Sequence, residues 1–202
     1  MSNETEIKFV KNIYDEIASE FKVTRVNKWS WVTSFITQLP KNSLIYDIGC
    51  GNGRNMKYDN YNFIGIDNCN NFLDICNNDG LKTVYGEMTE IPLENNSADA
   101  IINIASFHHL STTDNRLKAL KEFKRLLKPQ GKILLSVWSI NQPSKTRVTF
   151  NSYGNNTVYW KKKHPRYYYI FKIDELYDLF YEAGLTVISH DYDCGNEVFI
   201  LH

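Results

Sequence analysis

The feature that most constrains the fold is a glycine-rich segment at 47–53, Asp-Ile-Gly-Cys-Gly-Asn-Gly, which directly follows a short apolar run. Glycine has no Cβ and tolerates positive φ, so a loop with glycines at alternate positions can turn sharply and bring its backbone against a ligand. A strand, a glycine-rich turn and a helix form the first βα unit of a nucleotide-binding sheet. The alternative interpretation is a tight turn without a ligand.

The spacing of these glycines separates two classes of cofactor. Dinucleotide-binding proteins have G-x-G-x-x-G, which brings a helix N-terminus onto a pyrophosphate. Here the third glycine, Gly53, comes one residue too early for that pattern. A cofactor without phosphate fits better, and S-adenosylmethionine has a cationic amino group that suits a nearby acid such as Asp47. A dinucleotide-dependent oxidoreductase is the disfavoured alternative.

Two further acids follow predicted strands where a nucleoside would need them. Asp67 ends the run 63–67 and is suited to accept hydrogen bonds from ribose hydroxyls, or to cap the next helix. Glu87 follows the run 82–86 and is suited to accept from an adenine amino group. Three acids after three successive strands resemble the class I S-adenosylmethionine-dependent methyltransferase fold. The residues assigned to the cofactor are Asp47, Gly49, Gly51, Gly53, Asp67, Glu87, Met88 and Ile104.

The alternation of apolar runs and helical patterns predicts an α/β fold. Strands are expected near 44–48, 63–67, 82–86, 98–105, 131–138, 185–191 and 198–201. We predict a Rossmann-like class I methyltransferase fold, with a mostly parallel seven-stranded sheet, helices on both faces and an antiparallel C-terminal strand. Residues 1–202 are predicted to form a single domain, with an N-terminal helical cap at 1–40 and a basic, substrate-facing loop region at 141–172.

Charge is unevenly distributed along a chain whose formal net charge is zero. Residues 111–172 contain 14 Lys and Arg against 2 Asp and Glu, so this segment carries +12 and the remainder −12. The asymmetry favours a surface for a polyanion such as a nucleic acid. For the cations of the predicted helix 113–128, a solvated helix face is an equally good explanation.

Composition argues against a membrane-spanning or metal-binding protein. No apolar run approaches the length of a transmembrane helix. The four cysteines, Cys50, Cys69, Cys76 and Cys194, have no C-x-x-C spacing. We therefore expect free thiols in a reducing compartment, a cytoplasmic location and no metal site.

Polar residues at the ends of the fourth and fifth strands are candidates for the reacting groups. Ligands of open α/β sheets bind at the carboxyl ends of the strands. His108 and His109 follow the fourth strand, and Trp138 and Gln142 lie at the end of the fifth. Two adjacent histidines at that position favour a role in the site over a purely structural one.

Several segments that an S-adenosylmethionine site does not require carry a closer resemblance. The chain resembles the eukaryotic wobble-uridine tRNA methyltransferases, which esterify a carboxymethyl group on the uridine at the first anticodon position. The glycine loop is generic to the superfamily, whereas the Thr-Arg/Lys-Trp, His-His-Leu-Ser-Thr and Arg-Tyr-Tyr segments are far more specific. The matching segments are 14–19, 24–25, 28–29, 47–53, 104–105, 108–112, 137–138, Gln142 and 166–168.

This resemblance implies methyl transfer from S-adenosylmethionine to a carboxylate on tRNA. It assigns Arg25, His108 and His109 to holding the carboxylate and the base, not to acid–base chemistry. A carboxylate is already ionised at neutral pH, so the reaction needs no general base. The residues expected to contact the substrate are Lys28, Trp29, Trp138, Gln142, Arg166 and Tyr167.

The resemblance also implies two partners. The first is the anticodon loop of tRNA, with Trp29, Trp138 and Tyr167 as candidates for stacking on a base and 161–166 for phosphate contacts. The second is a small zinc-binding activator subunit, which an exposed edge strand at 81–86 could accept. The sequence departs from the family pattern at Ser30, Glu87, Tyr169 and 193–197. A methyltransferase for a small carboxylate and a binding protein with a degenerate cofactor site are the alternatives.

Overall fold

The computed structural model describes residues 4–146 and 148–202. Residues 1–3 and 147, which belong to the predicted helical cap and the predicted basic region, lie outside the described residues. The strands formed within the described ranges are β1 (Leu44–Ile48), β2 (Asn62–Asp67), β3 (Thr83–Tyr85), β4 (Ala98–Ile104), β5 (Leu127–Trp138), β6 (Gly154–Trp160), β7 (His164–Ile170), β8 (Val187–Asp193) and β9 (Asn196–Leu201).

Seven of these strands form one sheet, in the order β3-β2-β1-β4-β5-β9-β8. The first five pair in parallel, and β9 runs antiparallel to both of its neighbours, β5 and β8. The predicted fold class, with its mostly parallel seven-stranded sheet and antiparallel C-terminal strand, is confirmed. Because the strand order reverses at β1 and β4, a crevice opens outside their carboxyl ends.

The helices are α1 (Glu4–Glu6), α2 (Asn12–Thr24), α3 (Ser30–Thr37), α4 (Asn70–Asn78), α5 (Thr113–Leu126) and α6 (Ile173–Glu182), with a π-helical turn, Ile7–Lys11, joining α1 to α2. Both faces of the sheet are covered, as predicted. Val32 of α3 and Leu73 of α4 belong to the apolar core on one face. Phe123 of α5 and Phe180 of α6 belong to the core on the other.

Burial on both faces explains the character of the central strands. β4 contains two consecutive isoleucines, Ile101 and Ile102, and a third, Ile104, after Asn103, and all four of these residues are buried. A parallel strand covered on both sides reads as a continuous apolar run, not as an alternating one. Within 4–146 and 148–202, none of the helices has the length and apolar character needed to cross a bilayer.

The predicted basic loop region at 141–172 is the main correction to the fold. Strands β6 and β7 pair there as an antiparallel hairpin outside the seven-stranded sheet. Its inner face packs Val158, Tyr168 and Ile170 against Phe150. The prediction of irregular chain was wrong over 154–170 because tyrosines and a buried arginine, Arg166, occupy positions where a simple strand pattern needs aliphatic residues.

Candidate active site

A cleft of about 790 Å³ lies at the carboxyl ends of β1, β2 and β4. We call the part around the glycine loop the cofactor half and the part under the β6–β7 hairpin the substrate half. The cofactor half is lined by the predicted residues Gly49, Gly51, Asp67, Glu87, Met88 and Ile104. The substrate half is lined by Tyr14, Arg25, His109, Trp138, Arg166 and Tyr168.

The glycine loop leaves its backbone open to the cleft. Gly49 has φ +74°, and a Cβ there would meet the hydroxyl oxygen of Ser106 at 2.4 Å. Gly51 has φ +52°, and apart from its own chain neighbours no atom lies within 4 Å of the position that a Cβ would occupy. Gly53 also packs closely, since its missing Cβ would meet Leu81 at 2.4 Å, but unlike the other two it does not line the cleft. Gly49 and Gly51 therefore present backbone to a ligand, Gly51 with open space beside it and Gly49 packed on Ser106, whereas Gly53 serves close packing beneath the loop.

The acids of the cofactor half differ in how they are bonded. Asp67 accepts hydrogen bonds from the backbone N–H groups of Gly51 at 2.8 Å and Cys69 at 3.0 Å, and burial raises its pKa to about 6. Glu87 accepts from the amide of Asn68 at 2.9 Å. Asp67 thus fixes the glycine loop and still faces the cleft, where each carboxylate oxygen keeps a lone pair for a ligand hydroxyl.

Asp47 is the exception among these acids, because its carboxylate lies behind the cleft wall. It is 1% exposed, and neither oxygen has a hydrogen-bond donor among the described residues. Burial raises its pKa to about 7. An unpartnered buried carboxylate next to a glycine cradle attracts a cationic group, which agrees with a sulfonium cofactor that carries an ammonium group.

Two arginines enter the substrate half without an acidic partner among the described residues. Arg25, in the loop after α2, lies 4.8 Å from the ring centroid of Phe21, and burial lowers its pKa. The amide of Asn52 donates to the carbonyl of Arg25 at 2.9 Å and so ties this loop to the glycine loop. Arg166 of β7 is only 3% exposed. A buried guanidinium that no carboxylate neutralises prepares the cleft for an anion.

The two predicted histidines are both neutral. The Nδ1–H of His109 donates to the carbonyl of Tyr167 at 2.7 Å, which leaves Nε2 to accept from the hydroxyl of Tyr14 at 3.0 Å. Nδ1 of His108 accepts from the backbone N–H of Trp138 at 3.1 Å. Burial lowers the pKa of His109 to about 3 and that of His108 well below its ordinary value. His109 lines the cleft, His108 does not, and neither brings positive charge to it.

Tyr14 joins these groups into one network. Its hydroxyl donates to His109, accepts from the Arg166 guanidinium at 3.1 Å and lies 3.3 Å from the hydroxyl of Tyr168. The rings of Tyr14, Trp160 and Tyr168 surround the guanidinium carbon of Arg166 at 5.6, 5.5 and 5.3 Å from their centroids. The Tyr167 carbonyl fixes the tautomer of His109, and Tyr14 links that histidine to Arg166 and so orients the guanidinium.

The remaining predicted substrate contacts divide into two groups. Trp29 and Trp138 line the cleft as half-buried rings, and Trp138 stacks on Tyr168 with centroids 4.7 Å apart. Lys28 and Gln142 also line it, but both are engaged by the protein. The Lys28 ammonium bonds to the carbonyl of Lys57, and the Gln142 amide donates to the carbonyls of Ser139 and Gly195. The structure does not bring Tyr167 to the cleft, because its hydroxyl donates to Asn155.

Sequence patterns missed three residues of the substrate half: Tyr14, Trp160 and Tyr168. In the sequence, Tyr14 has helical spacing with the apolar residues Val10 and Ile17, and Trp160 directly precedes a run of three lysines. The available signals were the 14–19 and 166–168 segments, which match a family pattern without any demand from the cofactor. Among the described residues, no group of three His, Cys, Asp or Glu side chains is placed to hold a metal ion.

Comparison with known proteins decides the family. A methyltransferase-domain family model matches residues 46–135. The tRNA (carboxymethyluridine(34)-5-O)-methyltransferase of Schizosaccharomyces pombe is 33% identical over 97% of this chain and 96% of its own length. The chain belongs to this methyltransferase family.

Other members of the family are longer proteins. The tRNA (carboxymethyluridine(34)-5-O)-methyltransferases of Mus musculus, named ALKBH8, and of Arabidopsis thaliana are each 39% identical to this chain, over 71% and 72% of it. The chain spans 22% of the length of the mouse protein and 36% of the length of the plant protein.

Solved structures with little sequence identity share the fold. A methyltransferase in a complex with the Haloferax volcanii Trm112 methyltransferase activator superposes with a TM-score of 0.73 at 16% identity, covering 95% of this chain and 96% of the other. The protein of the DhpI-SAM-HEP complex superposes with a TM-score of 0.77 at 12% identity over both full chains. At such identities the likeness shows the fold alone.

As a member of the family, the chain has S-adenosylmethionine as its cofactor, and the residues present fit it. Asp47 lies behind the cleft wall as an unpartnered buried carboxylate. In the cleft itself, Gly49 and Gly51 provide backbone, and Asp67 and Glu87 provide acceptors for hydroxyl and amino groups. These residues would hold the cofactor. When bound, it supplies an electrophilic methyl group on a positively charged sulfur.

Proposed function

We propose that the protein transfers the methyl group of S-adenosylmethionine to the carboxylate of a 5-carboxymethyl group on the wobble uridine of tRNA, which forms a methyl ester. The names of the relatives support this proposal. The observation that carries it is that two of the cleft-lining arginines, Arg25 and Arg166 in the substrate half, lack an acidic partner among the described residues. A guanidinium fork matches a carboxylate in charge and shape.

The neutral histidines fit this chemistry. A carboxylate nucleophile carries no proton to remove at pH 7, so no base with a pKa near neutrality is required. In our proposal Arg25 and Arg166 orient the carboxylate, and Tyr14 with His109 holds Arg166 in place. Alignment and exclusion of water then supply most of the rate enhancement.

Aromatic side chains provide the surface for the base. Trp138 stacks on Tyr168, and Tyr168 in turn stacks on His108 with centroids 4.8 Å apart. This stack forms a rigid, largely apolar wall beside the two arginines. A uridine displaced from the anticodon loop would find a flat surface at the wall and a positive charge for its carboxymethyl group beside it.

We also propose that a Trm112-type activator subunit binds along β3, the edge strand of the sheet. Tyr85 of β3 is 43% exposed, and Lys11, a cleft-lining residue of the π-helical turn Ile7–Lys11, donates to its hydroxyl at 2.9 Å. The backbone N–H of Gly86 donates to the carbonyl of Asp67 in β2. Because successive N–H groups of a strand point to opposite sides, the N–H of Thr83, three residues earlier, points away from β2 to the open edge of the sheet. Thr83→Pro should therefore weaken binding of an added activator subunit, and an unchanged affinity would contradict this edge as its site.

Localisation is a separate proposal. Cys50, Cys69 and Cys76 are buried free thiols. Free thiols in the core suit a reducing compartment, so we propose a cytoplasmic location. Microscopy of the tagged protein in its host tests it.

The test of the proposed activity uses two tRNAs that differ only at the wobble uridine. One carries the 5-carboxymethyl group and the other an unmodified uridine. Transfer of labelled methyl from S-adenosylmethionine to the first alone is the expected result. Equal labelling of both would mean that the carboxylate is not the acceptor. Labelling of small carboxylates with neither tRNA would favour the alternative of a small-molecule methyltransferase.

A further inference from the structure

The outward-facing side chains at the tip of the β6–β7 hairpin have no role in the chemistry described so far. Its inner side chains, Val158 and Trp160, line the cleft, but Tyr159 lies between them on the rim and is 60% exposed. The turn that follows carries Lys161, Lys162 and Lys163, and all three are exposed. The rim of the substrate half therefore combines an exposed aromatic ring with a cluster of ammonium groups.

The backbone of this turn is strained. The N–H of Lys163 donates to the carbonyl of Trp160 at 3.0 Å, and the two residues between them, Lys161 and Lys162, have φ of 49° and 60°. Hairpin turns with positive φ at both central positions strongly favour Asn-Gly, because a Cβ is disfavoured in that region. Backbone strain of this kind concentrates at functional sites, where it serves to place particular side chains.

The hairpin is anchored so that its tip stays beside the cleft. Glu20 of α2 accepts from Lys161 at 2.7 Å, and Glu16, one helical turn earlier, contacts the Nδ1 of His164 at 3.1 Å. Lys162 and Lys163 have no acidic partner among the described residues. The turn that carries these two lysines is thus held next to cleft-lining residues, and their charge is available to a ligand.

We propose that Tyr159 and Lys161–Lys163 form a platform for single-stranded RNA, which holds the nucleotides that flank the target base of the anticodon loop. Tyr159 stacks on a neighbouring base, and the lysines contact the phosphates on either side. A stacking ring beside a cationic track is the arrangement by which proteins bind single strands without reading their sequence. The inference rests on the proposed tRNA substrate and names the surface that holds it.

The first experiment relieves the strain and removes the charge together. In Lys162→Gly/Lys163→Gln, the turn receives a glycine where φ is 60° and keeps the Lys161–Glu20 bond that anchors the hairpin, so the melting temperature should stay equal or rise by a few degrees. The Kd of an anticodon stem-loop RNA should rise about tenfold or more, and the slope of log K against log salt should decrease by about 1 to 2. Lys118→Gln/Lys121→Gln, which removes two exposed charges of α5, is the matched control and should leave both quantities unchanged.

The second experiment isolates the ring. Tyr159→Ala should weaken RNA binding about tenfold, whereas Tyr159→Phe, which keeps a stacking surface, should bind within about twofold of the wild type. Unchanged RNA affinity and salt slope in the lysine variant, together with unchanged affinity in Tyr159→Ala, would overturn the platform. Because binding is measured directly, an RNA that binds through this surface but is never methylated contradicts the proposed activity and supports the platform.

Discussion

The two halves of the cleft are built in different ways. The cofactor half consists of backbone and strand-end acids that lie close together in sequence, as in the bond from Gly51 N–H to Asp67. The substrate half is assembled from side chains of distant elements. Tyr14 comes from α2, His109 from the segment after β4 and Arg166 from β7, and two hydrogen bonds join them. A cofactor site of this kind is a local motif, whereas the substrate site is a tertiary arrangement.

The largest expected effect tests the charge in the substrate half. Arg166→Leu places an aliphatic side chain among the rings of Tyr14, Trp160 and Tyr168 in place of a buried unpaired cation, so the melting temperature should not fall. We expect kcat/KM for tRNA to drop about 1000-fold, because an oriented charge in a dry site is worth several orders of magnitude. Steady-state kinetics measure this, with the affinity for S-adenosylmethionine as the control. A loss of less than tenfold would contradict the role of Arg166.

The corresponding change in the cofactor half is Asp47→Asn. It should weaken S-adenosylmethionine binding by about 10- to 100-fold, since it removes a buried charge that attracts the cationic cofactor. It should also raise the melting temperature of the cofactor-free protein at pH 8, because an ionised, unpartnered carboxylate no longer has to be buried. Calorimetry gives both values. A less stable protein with unchanged cofactor affinity would assign Asp47 to folding alone.

A smaller effect is expected from Tyr14→Phe, which keeps the ring and removes only the hydroxyl. His109 loses a donor and Arg166 an acceptor, so the guanidinium gains freedom to move. We expect kcat to fall about tenfold with little change in cofactor affinity, because misplacement of a positioning group affects the reactive geometry first. Tyr168→Phe, which removes the weaker partner at 3.3 Å, is the comparison and should cost less. Equal losses of kcat in the two variants would show that the bonds from Tyr14 to His109 and Arg166 are not what positions the guanidinium.

The smallest effect is the pH dependence of cofactor binding. The pKa of Asp47 is raised to about 7 and that of Asp67 to about 6. Between about pH 4 and these values, the folded cofactor-free protein keeps both carboxyl groups protonated, whereas in the unfolded chain they have lost their protons. The stability of the free protein should therefore decrease as pH rises from about 4 to 7. A cationic cofactor favours the ionised acids, so its affinity should increase several-fold between pH 5.5 and 7.5. Titration calorimetry at several pH values measures this, and a flat profile in the wild type would contradict it.

The sequence predicts the cofactor half well because its determinants are local. Alternate glycines and an acid after each strand place Gly49, Gly51, Asp67 and Glu87 on the cleft without knowledge of distant contacts. Gly53 shows where such local patterns fail. Its spacing in the loop is the same as that of the other glycines, but it packs on Leu81 and does not line the cleft. The parallel direction of the first five strands follows from the alternation of apolar runs with helices.

The substrate half was predicted in part, and the roles of its residues changed once contacts were visible. Two adjacent histidines indicate a site, but only the structure shows that the protein engages both rings through Tyr167 and Trp138, and that burial lowers their pKa and keeps them neutral. The sequence does not predict the β6–β7 hairpin, because one of its strands contains a buried arginine and no pattern of apolar residues predicts a guanidinium enclosed by three rings. The contact between Tyr14 and His109 joins residues 95 positions apart, which no local motif reveals.

The most direct test of the central claim, methyl transfer to a carboxylate, is the stability of the new bond in the product. After incubation of tRNA carrying 5-carboxymethyluridine with S-adenosylmethionine labelled in its methyl group, the purified tRNA is treated with mild alkali. Our account predicts that the label leaves as methanol, because an ester is hydrolysed under these conditions. Label that remains on the nucleoside after alkali would show a methyl group on nitrogen, carbon or a ribose oxygen, and would contradict the account.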